Sequence, residues 1–117
     1  MTTQEIAERF YELDTKGDFT TIYEELYSSD VKSIEPAHSR WATVEGIEGI
    51  HEKGKQFHET LEEFHGGYTN PPIVAGNFFA CAMGMDATFK DRGRVQLDEI
   101  ALYEVKDGKI ISEQFFY

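Results

Sequence analysis

Glu35 stands directly before Pro36, and His38, Arg40 and Trp41 follow within six residues. A carboxylate ending a strand at the mouth of an apolar pocket is suited to general-base work. Desolvation disfavours its charged form and moves its pKa toward the range where a base works best, about 6–7 for a tuned Glu. Replacing such an unpaired Glu35 by Gln would slightly stabilise the fold. The competing reading is a solvated or salt-bridged strand end. His38 could donate to a ligand oxygen or to Glu35, or lie on the loop surface. Trp41 is either a lid contact or a cap on the core.

The other reactive residue types form no site by spacing. His51, His58 and His65 recur every seven residues, with Glu62 four after His58. On a helix that is about 10 Å of rise, too far for two imidazoles to share one ion. His58 and Glu62 alone are two ligands, where structural zinc takes four. No metal and no organic cofactor are expected. Cys81, the one cysteine, lies in an apolar run with no His or Asn beside it. It reads as a buried small hydrophobe rather than a nucleophile. Gly46-x-x-Gly49 lacks the Lys-Ser/Thr of a phosphate loop.

The elements that must hold these residues are helices first, strands after. Thr2 and Glu5 form a capping-box pattern, and Ile6, Phe10 and Leu13 recur at helical spacing until Gly17. Asp18 can cap a second helix carrying Phe19, Ile22, Tyr23, Leu26 and Tyr27. Val31 to Glu35 is a short strand candidate ended by Pro36. A third helix is predicted from about Gly46 to Leu61, with Ile47, Ile50, Gly54, Phe57, Leu61 and Phe64 as its apolar stripe. The glycine there suggests that something large packs close. Pro71-Pro72 bars a central ladder position. Strands are predicted over Phe78–Phe89, Arg94–Val105 and Lys109–Tyr117, with Asp107-Gly108 as a hairpin turn. Helices followed by a meander of long strands define an α+β domain.

Composition bounds the function. The 117 residues suit a single domain spanning 1–117. With 22 acidic residues against 11 Lys and Arg, the net charge of −11 repels phosphate backbones and anionic lipid, so neither nucleic acid nor membrane is an expected partner. Met1 to Phe10 has no apolar h-region and no apolar stretch approaches a membrane span, so a cytoplasmic location is expected. Ile100 to Val105 is apolar on both faces, and Phe115, Phe116 and Tyr117 are consecutive. A sheet with one wet face would alternate; a homodimer through the sheet is the simplest cover.

Gly17-Asp18, the Val31–Pro36 stretch, Gly46-Ile47-Glu48-Gly49-Ile50 and Asp107-Gly108-Lys109-Ile110, in this order and spacing, make the chain similar to the nuclear transport factor 2-like superfamily. Within it the chain resembles the SnoaL-like and ketosteroid isomerase-like branch. The resemblance implies a cone-shaped α+β barrel, three N-terminal helices packed on a curved, mostly antiparallel sheet around a pocket, usually dimeric. It implies Glu35 as the general base. It also places the family's oxyanion tyrosine on Phe10, with Tyr11 next to it pointing about 100° away on a helix, and its oxyanion acid on Ala101, with Asp98 and Glu99 nearby; neither Phe10 nor Ala101 can donate. Phe10, Trp41, Phe57 and Ala101 are expected to line the pocket. Two functions follow as expectations. One is general acid–base catalysis on a small apolar molecule by Glu35 with His38 assisting. The other is a non-catalytic binding or dimerisation module of the same fold.

Overall fold

The first helix begins where its cap dictates. In the computed structural model, which describes residues 1–117, the Thr2 hydroxyl accepts from the Glu5 N–H and the Glu5 carboxylate accepts from the Thr2 N–H. Helix α1 (Thr3–Thr15) then buries Ile6, Ala7, Phe10 and Leu13. Gly17 takes φ 73°, a left-handed turn that L side chains resist. Asp18 caps α2 (Phe19–Thr21) by accepting from the Thr21 N–H.

Here the structure departs from the predicted helix through Tyr27. The chain widens into a π-helical turn over Ile22–Leu26, and Tyr27 opens strand β1 (Tyr27–Ile34). Ile22, Leu26 and Tyr27 are all buried, so apolar spacing could not separate a helix end from a strand start. Strand β1 is also longer than the predicted Val31–Glu35. Its register against the last strand jumps between Tyr27 and Lys32, so Ser28 to Asp30 carry no strand alternation.

Strand β2 (Val44–Glu45) and helix α3 (Ile47–Thr60) follow, then β3 (Leu61–Thr69), β4 (Ile73–Ala75), β5 (Phe78–Phe89), β6 (Gly93–Lys106) and β7 (Lys109–Phe116). The sheet order is β2-β1-β7-β6-β5-β3, with β4 also beside β5. Only β1 and β7 pair in parallel. Pro71-Pro72 separate β3 from β4, as a residue without an N–H must. Asp107 (φ 51°) and Gly108 (φ 75°) turn the final hairpin, the two positive φ values of a type I′ turn.

Two expectations for α3 fail. Phe64 lies on β3, 58% exposed, rather than in the helix stripe. Nothing lies within 4 Å of a Cβ added at Gly54, so no large group packs there. With helical backbone and open space, Gly54→Ala is expected to stabilise the protein by about 0.5–1 kcal/mol, read by urea unfolding.

The sheet curls around α1, and the burial of its inward residues is graded. Phe79, Cys81, Ala101, Tyr103 and Val105 are closed off beneath α1. Further along β5 and β6, the inward Met83, Met85, Val95, Leu97 and Glu99 are only half-buried, as are Phe115 on β7 and Phe57 on α3. The inward face is thus tightly packed beneath α1, looser in the middle of β5 and β6, and buried again at Ala87 and Phe89.

Candidate functional site

Glu35 follows the last residue of β1, where Pro36 stops the ladder. Its side chain is only 8% exposed. Lys53 Nζ donates to Oε2 at 2.9 Å, and the Tyr117 hydroxyl donates to Oε1 at 2.8 Å. Both oxygens therefore accept, the arrangement of a carboxylate. The sequence left Glu35 either as a desolvated base with His38 near it or as a solvated or salt-bridged strand end; Lys53, from the inner face of α3, supplies the counter-charge and is itself only 12% exposed.

The network continues inward. Lys53 Nζ also donates to the Ser33 hydroxyl, which donates to Glu113 Oε2 at 2.6 Å. The other Glu113 oxygen accepts from the Tyr27 hydroxyl. Glu113 is fully within the protein, and burial pushes its carboxyl above the usual range, partly offset by its Ser33 and Tyr27 donors and by Lys53. No buried side-chain polar atom in the protein lacks a partner.

A third acid completes the group. Glu99 faces inward from β6, in register with Met83 and two residues before Ala101. Burial raises its carboxyl to about 7, the negative Glu35 and Glu113 add to the rise, and Lys53 opposes it. One ammonium thus serves three inward carboxyl groups. Near neutrality Glu99 divides between a proton donor and an anion, while both oxygens of Glu35 accept hydrogen bonds.

The loop after Pro36 closes over this group. His38 does not reach Glu35; its Nε2 donates to the backbone oxygen of Tyr117 at 2.8 Å, and its ring stands edge-on to that tyrosine. The Ser39 hydroxyl meets the Tyr117 hydroxyl. Burial, with Glu35 adding to it against the Ser39 contact, pushes the Tyr117 phenol up to about 12, so it stays a donor at neutral pH. Trp41 packs on Phe57 (ring centroids 5.6 Å apart), which packs edge-on to Phe89. Arg40 stacks over Trp41 and pairs with Asp91, fastening the loop to the β5–β6 turn.

The remaining expected site residues divide. Trp41 and Phe57 lie together beside the Lys53 side of α3. Phe10 and Ala101 sit in the closed core, Phe10 against Phe79 and Tyr103, and Ala101 with no exposed surface. They pack the floor beneath α1 instead of lining an open space. Burial lifts the Cys81 thiol to about 11, which suits its reading as a core residue. His65 lies on β3, so the three histidines share no helix. Lys53, Glu113 and Tyr117 were not foreseen, and Glu99 was marked only as a neighbour of the Ala101 position. Lys53 carried a signal: it stands three after Ile50 and four before Phe57, inside the apolar stripe of α3.

These features define a small α+β cone with an acid-rich concave face, and the comparisons place it. The SnoaL-like domain family model matches residues 1–117, and the chain belongs to that family. A candidate SnoaL-like polyketide cyclase from Mesorhizobium loti is similar at 39% identity, covering 100% of both chains, with a TM-score of 0.93. A nuclear transport factor 2-like protein from Burkholderia thailandensis shares 15% identity over 99% of this chain and 90% of its own, with a TM-score of 0.83. A candidate SnoaL-like polyketide cyclase from Jannaschia shares 16% over 97% and 83%, with a TM-score of 0.73. The last two establish the fold alone. No protein of curated function matches the chain. No helix is long and apolar enough to cross a membrane.

Proposed function

We propose that this SnoaL-like protein binds a small, largely apolar molecule on the concave face and moves a proton on it. Glu35 is the base and Glu99 the acid. The reading is carried by one observation: Glu99, lifted to about 7, faces the same space as a Glu35 whose two oxygens both accept. Acid and base assignments follow from carboxyl groups whose surroundings treat their charged forms differently. Met83, Leu97, Phe57 and Phe115 supply the apolar walls. His38 acts through Tyr117 as a positioning residue. The cyclase description of the Mesorhizobium protein agrees with proton transfer on a carbonyl compound.

The competing reading is a non-catalytic binding module, favoured by the fact that Lys53 and Tyr117 already satisfy Glu35. Deuterium exchange separates the two. A panel of cyclic enones and β-diketones in D₂O, followed by NMR, should show exchange at the carbon beside the carbonyl. Glu35→Asp should retain part of it, and Glu99→Gln should slow it about 10²-fold, the usual share of one acid or base group. Equal exchange with and without protein across the panel would leave the binding module.

The same protein is proposed to act as a homodimer through the outer face of the sheet. Register places Phe116 beside Ile100, Ile100 beside Ala82, and Leu102 beside Ala80, which pairs with Ile73. Ile73, Ile100 and Phe116 are 77%, 46% and 47% exposed. A stable dimer buries about 1,200–2,000 Å² in total, and apolar residues contiguous across four strands provide such a surface. Sedimentation equilibrium is expected to give a dimer at micromolar concentration, and Ile100→Asp a monomer. A wild-type monomer under those conditions would reject the proposal.

A further inference from the structure

Away from the concave face, the π-helical turn and the start of α3 flank an open cleft of about 310 Å³. Its lining is Tyr23, Glu24, Tyr27, Ser29, Ile47 and His51. That volume lies at the low end of small-molecule sites, about 300–1,000 Å³. Two irregularities build it. The π turn sets Tyr23 and Tyr27 side by side, and the register jump in β1 carries Ser29 to the rim. Single π turns are unfavourable in isolation and recur at functional sites.

The chemistry of the lining is one-sided. Tyr23 stands nearly perpendicular to both its neighbours, at 79° to Tyr27 and 87° to His51, with ring centroids 5.1 and 5.4 Å away. The half-buried Tyr23 thus packs between His51 and the nearly buried Tyr27, and all three rings line the cleft. Glu24 adds a carboxylate and Ser29 a hydroxyl, and no lysine or arginine takes part. The field there is negative. Burial, then Glu113 and Asp14, hold the Tyr23 phenol up to about 12, and the protein as a whole carries −11. An anion would be repelled. A metal ion would find one carboxylate, too few ligands for a cage. A soft, weakly hydrated cation loses little on leaving water and gains from both the rings and Glu24.

We infer that this cleft is a second small-molecule site, separate from the concave face, for a small organic cation of the alkylammonium type. Tyr23, Tyr27 and His51 form its aromatic walls and Glu24 its counter-charge. Because the Tyr27 hydroxyl donates to Glu113, a cation held here also touches the end of the network that reaches Glu35 through Ser33 and Lys53.

The test compares choline with its neutral carbon isostere, 3,3-dimethylbutan-1-ol, titrated into the ¹⁵N-labelled protein with sodium chloride matched. Choline is expected to give saturable shifts at the amides of Tyr23, Tyr27, Ile47 and His51, at millimolar concentration. The isostere should bind at least about tenfold more weakly, since it lacks the charge that the rings and Glu24 attract. Exposed Glu24 can change without loss of the fold, so Glu24→Gln should weaken choline about three- to tenfold, and Tyr23→Leu should remove binding. Equal binding of the isostere, shifts that never saturate, or shifts centred on Met83, Glu99 and Phe115 would each overturn the inference.

Discussion

Lys53→Met is expected to destabilise the protein by about 3–5 kcal/mol, the usual cost of leaving one member of a buried ion pair without the other. The side chain is held in the interior by Glu35 and Ser33, and its removal abandons Glu35 beside Glu99 and Glu113 with no positive charge among them. Glu35→Gln should also be costly, because Lys53 keeps its charge and loses its closest anion. This reverses the sign expected from sequence, where an unpaired Glu35 would have been relieved by the same change. The double variant Glu35→Gln/Lys53→Met removes both charges and should recover much of the loss, giving a coupling energy well above that of an exposed pair, about 0–1 kcal/mol. Urea unfolding of the four proteins measures it. Additive losses would show that the two charges are separately solvated.

The second large effect is an inverted response to pH. Glu99 binds its proton more tightly folded (about 7) than unfolded (4.5). Between those values the native state holds more protons than the unfolded chain, so stability falls as pH rises through the window and the full penalty is present above it. A shift of this size corresponds to at most about 3 kcal/mol, and Glu113, also raised, acts in the same direction. The surface carboxylates act oppositely. Asp18, Glu25, Asp30 and Asp86 are lowered by their hydrogen bonds, and their contributions disappear as pH drops below the normal carboxylate range. Stability should therefore peak near pH 5. Glu99→Gln should raise stability at pH 8 while leaving it nearly unchanged at pH 4.5. Chemical denaturation at the two values tests this. A wild-type protein that is more stable at pH 8 than at pH 5 would contradict it.

What could be read in the sequence was local. The Thr2/Glu5 cap, the α3 helix itself and the Asp107-Gly108 turn each depend on residues within a few positions, and all appear in the structure, although the predicted α3 stripe does not extend to Phe64. The second helix was misread because Ile22, Leu26 and Tyr27 are buried whether the backbone coils or extends there. The candidate site was half legible. Glu35 was marked by its place before Pro36, and Glu99 alternates with Leu97 and Ala101 on the inward face of its strand. Lys53 broke an apolar stripe, a conflict between local pattern and fold that commonly marks a functional position. Nothing near Tyr117 or Glu113 in the chain signals that they meet Glu35, Ser33 and Tyr27. Those meetings are made by the parallel pairing of β1 with β7, which joins the two ends of the sequence.

That pairing also sets when the site exists. The hydrogen bonds Tyr27–Glu113, Ser33–Glu113 and Tyr117–Glu35 close spans of 86, 80 and 82 residues. The β5–β6 hairpin closes over only three residues, Lys90 to Arg92. Long closures lose more chain entropy and come late in folding. The acid–base group is then the last part to assemble. Since β1 is flanked on its outer side only by the two-residue β2, this edge is also the first able to open. Amide exchange at Ser33 and Glu113 should report a local opening of lower free energy than at Cys81 and Ala101. Any molecule seated on the concave face would close that gap, making its own binding visible as slowed exchange along β1 and β7.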